Sequence, residues 1–259
     1  MRMPVLFVGH GNPMNAIERN EFFRSWQEIS RRLPRPAAIL CISAHWETHG
    51  AWVTKTEHPP TIHDFFGFPK ALFDVRYPAP GAPWLAERVA ALVTSERVQQ
   101  DPARGLDHGA WSVLVAMYPA ADIPVVQLGM DTSRPGSHHY AIGRQLAPLR
   151  EESILVLASG NMVHNLGLFS FHDPKPQSWA EACDEELRRR IADGDHAALM
   201  DHESLGPGMQ LAVPTPEHYY PLLYALALQQ EAESPEFFNA RVISSLSMTS
   251  VVIGAPRQA

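Results

Sequence analysis

Cysteine is scarce in this sequence, with Cys41 and Cys183 the two examples among 259 residues. So few thiols give no disulfide framework, which favours a reducing compartment. The apolar part of the first nine residues is too short for a secretory signal peptide, and no apolar run approaches the roughly 18 residues of a membrane span. We therefore expect a cytoplasmic protein with no membrane partner, in which Cys41 is a small core residue.

Positively charged residues are also few. The chain has 21 Lys and Arg against 28 Asp and Glu, which gives a formal net charge of −7. Without a basic run, the chain lacks the electrostatic footprint of a nucleic-acid-binding protein. Three catalytic signatures are missing as well: the His-Glu-x-x-His of zinc proteases, the phosphate-cradling Gly-rich loop and the Gly-x-Ser-x-Gly nucleophile elbow. These absences leave a small organic molecule as the expected partner.

What the chain does contain is an alternation of short apolar runs with helix-like periodicity, and 45% of its residues are apolar. Buried strands are predicted at 5–8, 37–42, 51–55, 124–128 and 154–158. Helices are predicted at 17–33, 84–93, 111–117, 137–149, 179–191, 196–202 and 216–229, followed by a β-rich stretch at 241–253. This order predicts an α/β fold with a central, largely parallel mixed sheet flanked by helices. The length suits one large α/β domain or two small ones, and no linker or repeat marks a boundary.

Histidine is abundant, with 13 in the chain, and five stand where the pattern changes. His10, His45 and His164 follow predicted buried strands. In an open α/β sheet the carboxyl ends of the strands converge on one crevice, where such folds bind ligands. Imidazoles brought together from distant parts of a chain make a metal site, which we therefore predict at this edge of the sheet.

Two further histidines precede or begin predicted helices. His218 lies in the first predicted turn of 216–229, where the helix dipole would keep its imidazole neutral and able to bind a metal. His108 follows Asp107 at the start of another helix and is a candidate acid/base residue. The structural alternatives are a loop histidine that caps a strand for His10 and a buried histidine bonded to a backbone carbonyl for His45. Beside His108, Asp107 could simply cap the next helix.

Other residues are weaker candidates. His63 lies in a long connection at 57–83, rich in Pro, Gly and aromatic residues, and connections of this length are usually functional. We expect His63 to contact a substrate and Trp46 to wall the site. The remaining histidines are predicted to be surface or capping residues: His49, His58, His138, His139, His172, His196 and His202.

Seven segments together resemble one family. They are Val-Gly-His10-Gly-Asn-Pro-Met, Ser-Ala-His45-Trp, Thr-Ile-His63-Asp-Phe-Phe-Gly-Phe-Pro, Tyr77-Pro-Ala-Pro-Gly, Asp-His108-Gly-Ala-Trp, Ser-Gly-Asn-Met-Val-His164-Asn and Thr-Pro-Glu-His218-Tyr. In this order the chain resembles the 4,5-DOPA dioxygenase extradiol family, a branch of the class III extradiol ring-cleaving dioxygenases. The likeness runs from about Pro4 to Gly254 and departs at Asn12, where many relatives have Ser.

The resemblance implies a single domain over residues 1–259, with a mononuclear metal bound by His10, His45 and His218. His164 matches a position that is a fourth ligand in zinc-bound bacterial members and an acid/base residue in more distant class III enzymes, so both roles stay open. The position of His108 is one that contacts the substrate hydroxyl or shuttles protons.

The activity implied by the resemblance is extradiol cleavage, in which dioxygen adds across a ring bond next to the two hydroxyls of a catechol such as L-DOPA. Phe66, with Phe65 and Phe68, is expected to cover the substrate ring. The metal needed for this chemistry is Fe²⁺, because zinc has no redox chemistry, but the affinity order favours Zn²⁺ in the protein as isolated. The alternatives are a zinc-dependent hydrolase and a metal-binding relative that has lost catalysis.

Overall fold

The structure is a computed structural model that describes residues 2–255. Its strands are β1 Val5–Gly9, β2 Ala38–Glu47, β3 Trp52–Thr54, β4 Gln99–Asp101, β5 Val125–Met130, β6 Ile154–Gly160, β7 Pro235–Phe238, β8 Val242–Ile243, β9 Leu246–Ser247 and β10 Ser250–Ile253. Its α-helices are α1 Glu21–Arg32, α2 Lys70–Phe73, α3 Pro83–Leu92, α4 His108–Met117, α5 Gly136–Gln145, α6 Ser178–Asp193, α7 His196–Met200, α8 Pro207–Ala212 and α9 Tyr220–Ala227. This is the α/β fold that the sequence predicts.

Within residues 2–255, one eight-stranded sheet has the order β4-β3-β5-β2-β6-β1-β10-β7. Its centre is parallel, because β5, β2, β6 and β1 all run in the same direction. Antiparallel pairs join this centre to β3 on one side and to β10 on the other. The carboxyl ends of β1, β2 and β6 therefore meet at one edge of the sheet, as the apolar runs predict.

Both faces of the sheet are buried, which explains why the central strands read as continuous apolar runs. Along β1 the side chains alternate: Val5 and Phe7 pack into a core with α5 and α9, while Leu6 and Val8 pack into a second core with α1 and α4. A one-residue slip of β1 would exchange the two sets, so the packing on both faces fixes its register.

Several local features differ from the sequence predictions. The helix expected at 216–229 begins at Tyr220, with Pro221 in its first turn, so His218 lies in the turn before it. His139 and His202, expected on the surface, are buried against tyrosine rings. Within the described part of the chain, no helix has the length and apolar character needed to cross a membrane.

Candidate active site

Two strands deliver histidines directly. His10 follows β1, and its backbone N–H donates to the carbonyl of Gly160 at the end of β6, 3.0 Å away. His45 lies inside β2, where the pairing with β5 shifts register between Ile42 and Glu47. A register shift of this kind re-aims the side chains of the bulged strand, and here it lies at the histidine.

The turn that carries His218 is held against the end of β6. The carbonyl of His218 accepts from the backbone N–H of Asn161 at 2.8 Å. Gly160 allows this approach, because a Cβ at that position would overlap the same carbonyl oxygen. The side chain of Asn161, in turn, donates to the carbonyl of Ser247 at 2.7 Å. The strand end and the turn are thus a single packed unit that positions His218.

His108 is the first residue of α4, whose N-cap is the buried Asp107. The Asp107 carboxylate accepts from the hydroxyl of Ser43 at 2.6 Å and from the amide of Gln127 at 2.7 Å. Because Ser43 and Gln127 belong to β2 and β5, the cap ties the start of α4 to the sheet at the strand that carries His45.

The ring nitrogens of His10, His45 and His218 form a triad in which the closest atoms lie within 4.8 Å of one another. The Nε2 atoms of His10 and His45 are 3.1 Å apart. Three imidazoles converging in this way offer the nitrogen donors that divalent transition metals prefer.

Neighbouring groups assign the ring protons of two members of the triad. Ser159 donates its hydroxyl proton to the carbonyl of Gly109 at 2.5 Å, so its oxygen accepts from Nδ1 of His10 at 3.0 Å. Glu217 accepts from Nδ1 of His218, also at 3.0 Å. Each contact leaves the lone pair on Nε2, which is the arrangement that metal-binding histidines adopt. The donor set therefore fits a metal ion.

Burial keeps the triad neutral. Removal from water lowers the pKa of His10 and of His218 well below the usual range, and the other imidazoles lower both further. Burial, helped by His108, also lowers the pKa of His45 to about 3. Neutral imidazoles are the form that binds metals, so metal binding at neutral pH displaces no proton from these rings.

His164 lies beside the triad and contacts it through a stacked ring rather than by converging on the same point. Its ring is stacked on that of His218, with centroids 3.5 Å apart and planes 9° from parallel. Its backbone N–H donates to the carbonyl of Ala212 at 2.8 Å, which fixes the segment. Burial lowers the pKa of His164 to about 4. His164 is therefore in contact with His218, and one nitrogen from each ring and a Glu217 oxygen lie within 4.8 Å of one another, in a group separate from the triad.

Asp64 is a site residue that the sequence analysis missed. Its Oδ1 lies 3.0 Å from Nδ1 of His108 and accepts from the backbone N–H of the same residue at 3.0 Å. Its Oδ2 lies 3.7 Å from Nδ1 of His45. Burial would raise the pKa of this carboxyl, but the hydrogen bonds and charge of His108 lower it to about 2. The signal in the sequence was a lone acid in an otherwise aromatic segment.

A cavity of about 280 Å³ opens beside the five histidines, all of which line it. Phe65 and Phe68 contribute to its wall. Of the residues expected to contact a substrate, Phe66 points into solvent, with 92% of its surface exposed. The other two are His63 and Trp46, and neither is part of the wall.

Other contacts hold His63 and Trp46 away from the cavity. Nε2 of His63 lies 3.1 Å from the carbonyl of Val75, and its ring packs on Trp111. Trp46 is buried beneath the guanidinium of Arg104, which lies 4.8 Å from the centre of the ring. His63 also packs against Phe65, a residue of the wall. The loop aromatics that reach the cavity are Phe65 and Phe68.

Known proteins resemble this chain over most of its length. A sequence model of the family described as catalytic LigB subunit of aromatic ring-opening dioxygenase matches residues 4–253. The protein named 4,5-DOPA dioxygenase extradiol from Escherichia coli strain K12 is 49% identical over 98% of this chain and 95% of its own. The protein of the same name from Beta vulgaris is 40% identical over 90% of this chain and 89% of its own. A crystal structure of an uncharacterized protein from Escherichia coli K12 has a TM-score of 0.86 and 43% identity, covering 98% of this chain and 100% of that one.

Proposed function

Because this chain belongs to the family of catalytic LigB subunits of aromatic ring-opening dioxygenases, we propose that it cleaves the ring of a catechol by the extradiol route. Both atoms of dioxygen enter the product, and the ring bond that breaks lies next to the two hydroxyl-bearing carbons. The observation that carries the proposal is the triad of His10, His45 and His218 opening into an apolar cavity. Three imidazoles leave the remaining positions of a metal free for other ligands.

The triad is proposed to hold a single divalent metal, Fe²⁺ in the active enzyme. When bound, a redox-active ion mediates electron transfer between a catechol and dioxygen, whose direct reaction is slow because their electron spins are mismatched. Zn²⁺ binds nitrogen ligands more tightly than Fe²⁺ but has no redox chemistry. Protein prepared in air is therefore expected to contain zinc and to be inactive.

We assign His164 to proton transfer rather than to the metal. The lone pair of an imidazole nitrogen lies in the plane of its ring. Two rings stacked face to face, as His164 and His218 are, direct their lone pairs along separate parallel planes and do not share one ion. A neutral imidazole beside the triad suits a base that accepts a proton from a catechol hydroxyl and returns it later.

His108 is proposed to bind the second hydroxyl from the opposite end of the triad, since its ring lies 3.8 Å from that of His45. With Asp64 beside Nδ1, Nε2 is the nitrogen left for the substrate. Phe65 and Phe68 cover the substrate ring and exclude water. Asp64 acts through His108 as a positioning residue.

The proposal is tested by loading the metal-free protein with Fe²⁺ under nitrogen, adding catechol, a 4-alkylcatechol or L-DOPA, and then admitting dioxygen. We expect one dioxygen consumed per catechol and a yellow product heavier by two oxygen atoms. The zinc-loaded protein is the matched control and is expected to consume none. Absence of oxygen uptake with every catechol at full iron occupancy would refute the proposal.

A further inference from the structure

A surface groove of about 860 Å³ borders the cavity beside the histidines. Ile243 lines both the groove and the cavity. At the start of α1 two adjacent residues line one each, Glu21 the groove and Phe22 the cavity. At Ile243 and the start of α1, the rim of the cavity is therefore also the rim of the groove.

The walls of the groove carry charges of both signs. They are the acids Glu21, Glu181, Asp184 and Glu185 and the bases Lys175, Arg188 and Arg241. Asp184 is committed to other partners, because it accepts from the hydroxyls of Ser247 and Thr249 and pairs with Arg188 at 2.9 Å. The charges that stand beside the cavity are those of Glu21 and Arg241.

The hairpin of β8 and β9 directs Arg241 towards the cavity. Ile243 pairs with Leu246, and the backbone N–H of Met248 donates to the carbonyl of Arg241 at 2.8 Å, which continues the ladder beyond β8. Since alternate residues of a strand share a face, these four side chains lie on one face of the hairpin. Ile243, Leu246 and Met248 all line the cavity. The side chain of Arg241 therefore leaves the hairpin on the same side as the cavity.

Arg241 pairs with Glu21 at this rim. The two side chains are 58% and 57% exposed, so the pair contributes no more than about 1 kcal/mol and opens readily. Its charges are opposite and adjacent, as are the carboxylate and the ammonium of an α-amino acid. A zwitterion that binds here exchanges one internal ion pair for two pairs with the protein.

We propose that Arg241 and Glu21 form a subsite for a zwitterionic substituent of the catechol. The guanidinium of Arg241 binds the carboxylate, and the carboxylate of Glu21 binds the ammonium. This inference rests on the proposed ring-cleaving function and adds to it the residues that select the substituent. The ring lies beside the histidines, and the substituent passes Ile243 to the rim. Its charged end stays at the exposed mouth, where it keeps part of its hydration and meets no large desolvation cost.

The test uses four catechols that carry a short carbon chain at the same ring position and differ in charge. L-DOPA has both charges, 3-(3,4-dihydroxyphenyl)propanoate has the carboxylate, dopamine has the ammonium, and 4-propylcatechol has neither. With iron-loaded protein, we expect Arg241→Gln to lower kcat/KM about three- to fivefold for L-DOPA and the propanoate. We expect Glu21→Gln to lower it by a similar factor for L-DOPA and dopamine. Neither variant should alter kcat/KM for 4-propylcatechol.

Arg35→Gln is the matched control. It opens another exposed ion pair, with Asp122, whose side chains are 63% and 52% exposed and which lines neither the groove nor the cavity. We expect it to leave all four values of kcat/KM unchanged. Equal changes for all four catechols in Arg241→Gln and Glu21→Gln, or no change for any, would overturn the subsite.

Binding to zinc-loaded protein separates the subsite from the reaction. Calorimetry with this redox-inactive form should show about three- to fivefold weaker binding of L-DOPA by Arg241→Gln and equal binding of 4-propylcatechol. An unchanged affinity for L-DOPA would overturn the subsite even if the ring is cleaved. If no catechol is turned over by the iron-loaded protein, the ring-cleaving function is refuted, whereas a selective loss of L-DOPA affinity would still support the subsite.

Discussion

The hydroxyl of Ser159 decides which nitrogen of His10 carries the proton. It donates to a backbone carbonyl and accepts from Nδ1 of the imidazole, so Nε2 is left free. Partners of this kind fix the tautomer and ring orientation of a metal-binding histidine.

We predict that Ser159→Ala weakens metal binding by about 10- to 100-fold, because His10 loses the contact that fixes its tautomer. The measurement is competition of the apo-protein with a chromophoric chelator for Zn²⁺. Ser112→Ala is the control, since the Ser112 hydroxyl is buried on α4 and has no hydrogen-bond partner within residues 2–255. Equal dissociation constants for the two variants would contradict this role of Ser159.

Asp64 accepts from the backbone N–H of His108, and the same carboxylate oxygen lies 3.0 Å from Nδ1 of the His108 ring. We predict that Asp64→Asn lowers kcat by about 10- to 100-fold at full iron occupancy, since the amide keeps the shape but not the charge that orients His108. Asp74→Asn, in the same long connection, removes an exposed carboxylate that pairs with Lys70 and is expected to keep kcat. An unaltered kcat in the iron-loaded Asp64 variant would remove it from the mechanism.

The sequence singled out the five histidines that line the cavity, but not Ser159 and Asp64, which contact two of them. An imidazole at a pattern change is itself a signal, because few residue types bind metals. Ser and Asp are common on surfaces and in turns, so their presence is not a signal. Here they orient histidines that are distant in the sequence. Ser159 is 149 positions from His10, and Asp64 is 44 from His108. Sequence spacing carries no information on such pairs.

At the scale of elements, the end of β6 and the turn before α9 have almost no space between them. We predict that Gly160→Ala lowers the free energy of unfolding by about 1–3 kcal/mol, because the added methyl group forces the His218 turn away from the strand. The same displacement should weaken Zn²⁺ binding. Urea unfolding of the apo-protein and zinc competition measure the two effects.

Gly208→Ala is the comparison for Gly160. This glycine lies in α8, and a Cβ there would meet a single side-chain atom, the Cys183 sulfur, at 3.1 Å. We expect no loss of zinc affinity. Similar losses in both variants would show that the tight contact at Gly160 is unimportant for the site.

The strands that could be located from sequence are those buried on both faces of the sheet. The central strands are buried on both faces, so their apolar runs located them within a few residues. β4, with the sequence Gln-Gln-Asp, is a polar edge strand whose stability comes from pairing with β3, and it leaves no hydrophobic pattern. The helix α9 begins later than its periodicity suggests because Pro221 occupies its first turn, which is the position that proline favours.

At the scale of the whole molecule, metal binding at the proposed site should stabilise the fold, since the triad of His10, His45 and His218 is assembled only in the folded chain. At a free metal concentration 100 times the dissociation constant, we expect a gain of about 2.7 kcal/mol, or a rise of about 5–10 °C in Tm. Scanning calorimetry with and without a chelator measures it. Identical Tm values would show that the triad does not bind metal.

Acid should destabilise the apo-protein through its buried neutral histidines. Outside the site, burial and the neighbouring His138 lower the pKa of His139 to about 4. Below the usual pKa of 6.5 the unfolded chain takes up a proton that the folded chain does not, so the free energy of unfolding falls as the pH drops from about 6.5 to 4.

We predict that His139→Gln makes this decline shallower by up to one proton, or about 1.4 kcal/mol per pH unit. Urea unfolding of the apo-protein across that range gives the slope. His58→Gln, at an exposed position, is the control. Parallel slopes for the native protein and the His139 variant would rule out the buried imidazole as the cause.

The two strands that pair with β1 determine when during synthesis β1 can take its full place in the sheet. β1 pairs with β6 on one side and with β10, residues 250–253, on the other. Until β10 has left the ribosome, the strand that ends at His10 has an unpaired edge, which is the kind of surface on which chains associate wrongly. The first strand to be made is thus among the last to be enclosed, and a nascent chain halted before residue 250 is a natural client for chaperones.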